Sequence, residues 1–362
     1  MQRRDIVVIG GSAGSIETLK GIVRGLPSDF PGSVFVVIHV SADSPSMLAK
    51  LLARCSAVRA TSPLDGEAIR PGHIYVARPD HHLTIEDGRV RVLRGPRENR
   101  HRPAIDPLFR TAARVFGPRV IGVILSGLQD DGSAGLYAVK ERGGLTVAQD
   151  PEDAIWKDMP GRAIEYAHPD YILSGRDIAP TLVQLANTQE SEPAMAKRHS
   201  ISRKSNGRNG KRKPASTAGL EKATVNEEVA YPGEGAGTPS VFACPECHGV
   251  LWELKDDKMV RYRCRVGHSY GTESLAKELS TASEAALWAA VRALEEKAAL
   301  QRRVAEGMGV DQRMSSRLLD QGAADTANAR LIRDMIFERD AELESQSERK
   351  EGRTEQERKK TA

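Results

Sequence analysis

The amino-acid sequence predicts an α/β fold, a doubly wound and mostly parallel sheet with an antiparallel hairpin insertion, followed by a small cysteine-rich ribbon and C-terminal helices. Three observations predict it. Continuous apolar runs end in glycine-rich turns, and each is followed by apolar residues at helical spacing. Three of the four cysteines cluster late in the chain. A polar stretch almost without large apolar residues separates the two regions. A chain of 362 residues also exceeds what one core organises.

Taken in order, residues 5–10 form a buried strand and 15–26 a helix with Ile16, Leu19, Ile22 and Val23 on one stripe. Residues 33–40 and 46–55 repeat strand and helix. Residues 73–77 are a short strand. The apolar segments 83–85 and 90–93 flank Asp87-Gly88, a hairpin turn pair, so an antiparallel excursion interrupts the parallel rhythm. A helix over 105–115, a strand over 120–125, a helix over 134–142, strands over 145–148 and 171–173 and a helix over 177–187 complete the first domain, residues 1–188. Residues 189–240 read as a basic, disordered linker, because they cannot bury enough surface to offset the entropy of ordering. Residues 241–272 form the ribbon, 273–345 a helical segment and 346–362 a charged tail.

The net charge of +4 is misleading, since residues 197–213 carry eight Lys or Arg and no acid, leaving the rest slightly acidic. No aromatic residue interleaves those charges, which argues for a solvated linker and against nucleic-acid binding. No apolar run approaches a membrane span, and the first is too short for a signal peptide. A cytoplasmic, reducing setting without membrane insertion is the expectation.

Gly10-Gly11-Ser12-Ala13-Gly14 places a serine where a buried strand turns into a helix, so its hydroxyl lies at the carboxyl edge of the sheet. Dinucleotide binding would want an acid at the end of the second strand, where His39 stands. A phosphate loop would need a Gly-Lys-Ser/Thr ending, which is absent. His39 ends the run Val34-Phe35-Val36-Val37-Ile38 and emerges at the same edge. Ser126-Gly127-Leu128-Gln129-Asp130-Asp131-Gly132 follows a third strand, and an acid there can accept the Nδ1 proton of His39 and stabilise its imidazolium; Asp130 and Asp131 both qualify, as either does for a helix N-cap.

Residues 4–175 resemble the catalytic domain of the chemotaxis-type protein-glutamate methylesterases, the CheB family. The resemblance rests on Ile9-Gly10-Gly11-Ser12-Ala13-Gly14, Ile38-His39-Val40, Asp65-Gly66-Glu67, Pro71-Gly72-His73-Ile74-Tyr75-Val76-Ala77, Asn99-Arg100-His101-Arg102-Pro103, Gly122-Val123-Ile124-Leu125-Ser126-Gly127 and Asp131-Gly132. It implies Ser12 as nucleophile, His39 as base and Asp131 as the orienting acid, with Asp130 set aside. It implies hydrolysis of glutamyl methyl esters on a methylated chemoreceptor or related signalling protein, with glutamine deamidation as a side activity and no catalytic cofactor. Main-chain N–H groups near His39 and Leu128 are the oxyanion candidates. Residues 99–102 are either a substrate-contacting loop or a buried polar network tying the hairpin to the sheet, and His73 and His101 are structural. The first strand begins at Asp5, so the expectation is a catalytic domain without the family's usual receiver. Ala13 stands where a hydroxyl residue is common, and Val40-Ser41 where Met-Pro is common.

Cys244-Pro245-Glu246-Cys247 and Cys264-Arg265-Val266-Gly267-His268 have the spacing of zinc knuckles, which makes Cys244, Cys247, Cys264 and His268 the ligands of a structural Zn²⁺, with His248 competing for the fourth place. Trp252, Met259 and Tyr262 would fill the small core. Residues 284–306 form an apolar-striped helix that completes the ribbon or meets a signalling partner. The rival to an enzyme is an inactive hydrolase-fold scaffold that binds a partner or nucleic acid through the ribbon and basic linker.

Overall fold

The computed structural model describes residues 2–190, 237–256, 259–307 and 311–361, so most of the linker expected over 189–240 lies outside the described residues. Contacts divide the chain into two units, 1–275 and 276–362.

The first unit holds a seven-stranded sheet. In chain order its strands are β2 (Ile6–Gly11), β3 (Ser33–Ile38), β4 (Arg59–Thr61), β5 (His73–Val76), β8 (Val120–Ile124), β9 (Leu145–Gln149) and β10 (Tyr171–Leu173). Across the sheet they run β10-β9-β8-β2-β3-β5-β4, every pair parallel. A two-residue strand, β1 (Gln2–Arg3), pairs with β11 (Gln189–Glu190). The hairpin β6 (His82–Glu86) and β7 (Arg89–Leu93) stands apart as its own antiparallel pair, as the Asp87-Gly88 turn leads one to expect.

Six helices flank the sheet: α1 (Ile16–Arg24), α2 (Leu48–Cys55), α3 (Ile105–Phe116), α4 (Ser133–Glu141), α5 (Asp158–Ala167) and α6 (Gly175–Asn187). The side-chain period of two along each strand divides the core into two layers. Val7, Ile9, Val34 and Val36 pack with Leu19 and Ile22 of α1, Leu52 of α2 and Leu182 of α6. Val8, Phe35, Val37 and Tyr75 pack on the opposite face with Leu108 and Phe109 of α3, Leu136 of α4, Met159 of α5 and Leu83 and Ile85 of the hairpin. Burial on both faces is why the strands read as unbroken apolar runs.

Strand β2 lies between β3 and β8, and the chain leaves it to one side before returning on the other. This is the switch point at which a doubly wound sheet opens a crevice. Ser12 follows β2, His39 follows β3 and Asp131 follows β8, so topology alone gathers all three.

The ribbon is a four-stranded antiparallel sheet of β12 (Thr238–Ala243), β13 (Val250–Asp256), β14 (Met259–Cys264) and β15 (Ser269–Gly271), in that spatial order. Leu251, Tyr262 and Tyr270 are its buried apolar residues, and Phe242 meets Tyr262 edge-on with centroids 5.5 Å apart. Trp252 and Met259, expected in this core, are only half-buried.

Helix α7 (Thr272–Ala305) follows, and then α8 (Gln312–Thr361). Residues 346–361, read from sequence as a charged tail, continue α8, in keeping with the helix propensity of their Glu, Lys, Arg and Gln. Within the second unit the two helices run antiparallel. Trp288 packs edge-on against Phe337, Lys297 pairs with Asp325 at 3.1 Å, and Val291, Ala298, Ala329 and Ile336 are buried. Among the described residues no helix is long and apolar enough to cross a membrane.

Candidate active site and candidate metal centre

The turn after β2 is held from several sides. Ser12 N–H donates to Ser126 O at 2.9 Å, and the Ser15 hydroxyl donates to Ser12 O at 2.6 Å. Ser126 Oγ donates to Ala13 O at 2.9 Å and accepts Trp156 N–H at 2.9 Å. Glycine is demanded at Gly10, where a Cβ would lie 2.3 Å from Ile105 Cγ2, and at Gly14, whose φ is +75°.

The three residues named from sequence come together. Ser12 Oγ donates to His39 Nδ1 at 3.2 Å, and His39 Nε2 donates to Asp131 Oδ2 at 2.6 Å. This corrects the expectation that the acid meets Nδ1. Gly11 pairs with Ile38 across adjacent strands, so Ser12 lies beside His39 and meets the ring nitrogen nearer the main chain. Asp131 comes from β8, two strands away at about 5 Å per strand, and only the distal Nε2 reaches it.

Asp131 is almost fully buried and accepts four hydrogen bonds. Oδ2 takes His39 Nε2 and Ile105 N–H at 2.7 Å; Oδ1 takes Asn99 Nδ2 at 2.9 Å and Asp106 N–H at 3.2 Å. Burial alone would push its carboxyl up, but His39, then His101, and the Ile105 N–H hold it well below the usual carboxylate range. The same contacts cap α3, whose own N-cap, Ala104, offers no side-chain acceptor. Asp106, in the first turn of α3, returns the favour: its Oδ1 accepts Gly132 N–H at 3.1 Å and Gly135 N–H at 2.6 Å, capping α4. Two buried acids therefore cap each other's helices. Burial and the neighbouring Asp131 raise Asp106 to about 7. The sequence reasoning missed Asp106; a helix start without a local cap was the available sign.

His101, read from sequence as a structural histidine, stacks on the His39 ring at 3.5 Å and 10°. Burial, and then His39, lower its pKa to about 3, so it covers the His39 ring face as a neutral imidazole. His73 accepts or donates a 2.8 Å hydrogen bond with Thr61 Oγ1 at the far end of the sheet. Both readings of residues 99–102 have a counterpart: Asn99 is buried in the polar network, while Arg100, His101 and Arg102 line an open pocket of about 510 Å³ with Ser12 and His39. Arg97 lines it too. Of the N–H groups near His39 expected as oxyanion donors, that of His39 itself is spent on Gly11 O at 3.1 Å, extending the β2–β3 ladder. Asp130 is held by the Ser274 hydroxyl at 2.6 Å, and burial raises its pKa.

The ligand atoms of Cys244, Cys247, Cys264 and His268 lie within 4.8 Å of one another, a Cys₃His cluster that could hold a metal ion. Cys247 Sγ–Cys264 Sγ is 3.5 Å, and His268 Nδ1 is 3.5 and 3.7 Å from the sulfurs of Cys264 and Cys244. Ligands at zinc-like bond lengths are separated by roughly 3.5–3.8 Å along tetrahedral edges, so the set fits. His268 Nε2 is 3.2 Å from Glu246 Oε2, a carboxylate placed to orient the imidazole. His248 is outside the cluster.

A parallel α/β sheet whose switch point brings a serine, a histidine and a buried aspartate into one hydrogen-bonded line has the arrangement found in serine hydrolases. Residues 7–182 match the family model of the CheB methylesterases. A Leptospira interrogans protein, provisionally named a protein-glutamate methylesterase/protein-glutamine glutaminase, is 40% identical over 182 residues, covering 50% of this chain and 94% of that protein. A Xanthomonas campestris protein-glutamate methylesterase/protein-glutamine glutaminase is 37% identical over 185 residues, and there the match spans about half of each chain, 50% and 51%. The crystal structure of the Thermotoga maritima CheB methylesterase catalytic domain is 34% identical, with a TM-score of 0.48 and coverage of 51% of this chain and 99% of that one. The chain belongs to the CheB methylesterase family.

Proposed function

We propose that this chain is a protein-glutamate methylesterase acting through Ser12, His39 and Asp131. Ser12 Oγ attacks the carbonyl carbon of a glutamyl methyl ester while His39 Nδ1 takes its proton. Asp131 keeps the other proton on Nε2 and stabilises the imidazolium. The tetrahedral intermediate collapses, His39 returns the proton to the leaving oxygen, and methanol departs from an acyl-enzyme. Water, activated by His39, then releases glutamate and regenerates Ser12. A glutamine side chain would follow the same course and release ammonia. The observation that carries the reading is the continuous line of hydrogen bonds, 3.2 Å and then 2.6 Å, from Ser12 to an acid held ionised by four donors.

The N–H groups near Leu128, and those beside His39 other than its own, are the oxyanion candidates. Arg97, Arg100 and Arg102 line the pocket, which suits a methylated chemoreceptor or related signalling protein with acidic side chains beside the ester. Zn²⁺ in the Cys₃His cluster would be structural, since four protein ligands leave no open position. Thiols kept for a metal, and the lack of any disulfide among the four cysteines, suit the cytoplasm. The second unit exposes Leu331 and Met335, which suits a helical signalling partner.

Methanol release from a methylated receptor fragment tests the central reading. Wild type should release it and Ser12→Ala should not. Equal release by both would overturn the triad.

A further inference from the structure

Among the residues where the ribbon meets the catalytic domain is a buried side chain, Asn99, which is 4% exposed. Asn99 and Arg100 have φ of +48° and +73°, and Glu98 and His101 exchange N–H···O bonds of 3.2 and 2.9 Å across them. This is a tight type I′ turn, a conformation that asparagine tolerates. On the ribbon side, Asn99 N–H donates to Ser269 O at 2.7 Å, and Gly271 N–H donates to Asn99 Oδ1 at 2.8 Å. On the catalytic side, Asn99 Nδ2 gives one hydrogen to Asp131 Oδ1 at 2.9 Å and the other to Asp106 Oδ2 at 3.0 Å. The strand fills the acceptor and the two acids fill the donors. Turning the amide over would aim its oxygen at two carboxylates, so the two acids set which way it faces, and β15 holds the oxygen end in place.

Ser269 follows His268 directly, and Cys264 N–H donates to His268 O at 3.0 Å, so the strand that holds Asn99 springs from the cluster. A second contact lies beside it: a Cβ on Gly271 would fall 2.0 Å from Asp130 Oδ2. We propose that closing Cys244, Cys247, Cys264 and His268 on a metal ion fixes β15 against Asn99 and, through Asn99, holds Asp131 in line with His39. The esterase then reaches its full rate only when the ribbon is loaded, and Asn99 is a positioning residue. This rests on the esterase reading above.

The physical reason is the ribbon's small core. Leu251, Tyr262 and Tyr270 are too little apolar material to hold four strands without a cross-link. When β15 loosens, the Asn99 oxygen loses its partner, and the donor separating two buried carboxylates is no longer fixed. Asp131 then shifts relative to the imidazole.

The test uses the full chain, zinc-loaded or stripped with a chelator, as wild type and as Asn99→Ala. Two quantities are read: the rate and half-saturation of Ser12 phosphonylation by a fluorophosphonate probe, and amide hydrogen exchange over residues 98–106. Stripping should slow the maximal labelling rate of wild type about tenfold with half-saturation unchanged, the usual scale for losing an outer-shell partner, and protection over 98–106 should fall. Asn99→Ala should label slowly in both states, with less than about a twofold response to metal, because the link is already cut.

Equal labelling and exchange in loaded and stripped wild type would overturn the coupling alone, as would the same proportional slowing in Asn99→Ala. No labelling of loaded wild type at Ser12 would remove the esterase reading itself. Should the stripped chain aggregate, Gly271→Ala asks the same question with metal retained. It should label about tenfold more slowly at one metal per chain, and unchanged labelling would overturn the proposal.

Discussion

The Ser12–His39–Asp131 line and the Cys₃His cluster lie in the same unit of the chain and are held in opposite ways. Ser12, His39 and Asp131 project from three neighbouring positions of a sheet buried on both faces, and Asp131 is fastened by Ile105, Asp106 and Asn99 as well as His39. Packing sets the frame first, and the polar groups fit into it. The cluster has no such frame: among the described residues its sheet buries few large apolar side chains, so a bound metal ion would supply the cross-link that packing does not. The Ser12–His39–Asp131 line therefore rests on the parallel core, whereas the Cys₃His cluster has little apolar packing beneath it.

Metal removal should separate the two most sharply. Chelation is expected to melt the ribbon, since structural zinc contributes on the order of 10 kcal/mol to such folds. The parallel domain should keep its cooperative unfolding. Circular dichroism and calorimetry of the stripped chain, together with metal content falling from one zinc per chain to none in Cys244→Ser, check this.

Next in size is Asp131→Asn, which sets an amide against the donors of Ile105 or Asp106 and stabilises the imidazolium poorly. Turnover should fall by about 10³–10⁴-fold, the cost of removing a triad acid, with metal content unchanged. Steady-state kinetics and metal analysis of the variant read both.

Gly10→Ala probes the packed frame itself. Its Cβ would lie 2.3 Å from Ile105 Cγ2, at the turn whose N–H holds Asp131. A loss of about 1–3 kcal/mol in chemical denaturation is expected for such overpacking, with reduced turnover beside it.

The smallest effect concerns pH. His101 is held to about 3 by burial and by His39, while in the unfolded chain it titrates near 6.5. Below about pH 6.5 the unfolded state takes up a proton that the folded state refuses, so stability is lost as pH falls toward 3. His82, also lowered by burial, acts in the same sense. His101→Phe should therefore make the decline of Tm between pH 6.5 and 4 shallower without abolishing it.

Much of this was legible in sequence because chemistry and topology coincide. A serine, a histidine and an acid each end an apolar run, and parallel strands bring such ends to one edge. What escaped depends on contacts between distant segments. Nothing local at Asp106 says that it caps α4, and the choice of Nε2 over Nδ1 on His39 follows from strand order, which a linear reading does not supply. Strand β4 was missed because Arg59–Thr61 is a short edge strand with only one buried residue. Helix α5 was missed because Pro160-Gly161 reads as a turn, although proline is tolerated in the first helical turn. The clustering of Cys244, Cys247, Cys264 and His268 was legible for the opposite reason: knuckle spacing is local and needs no knowledge of the fold.

The central claim is that Ser12 is a nucleophile activated by His39. Peptide mapping by mass spectrometry after treating the full chain with a fluorophosphonate tests it before any substrate is known. The account predicts one adduct, on Ser12, at a rate that collapses in His39→Ala. An unmodified Ser12, or an adduct formed equally fast without His39, would contradict it.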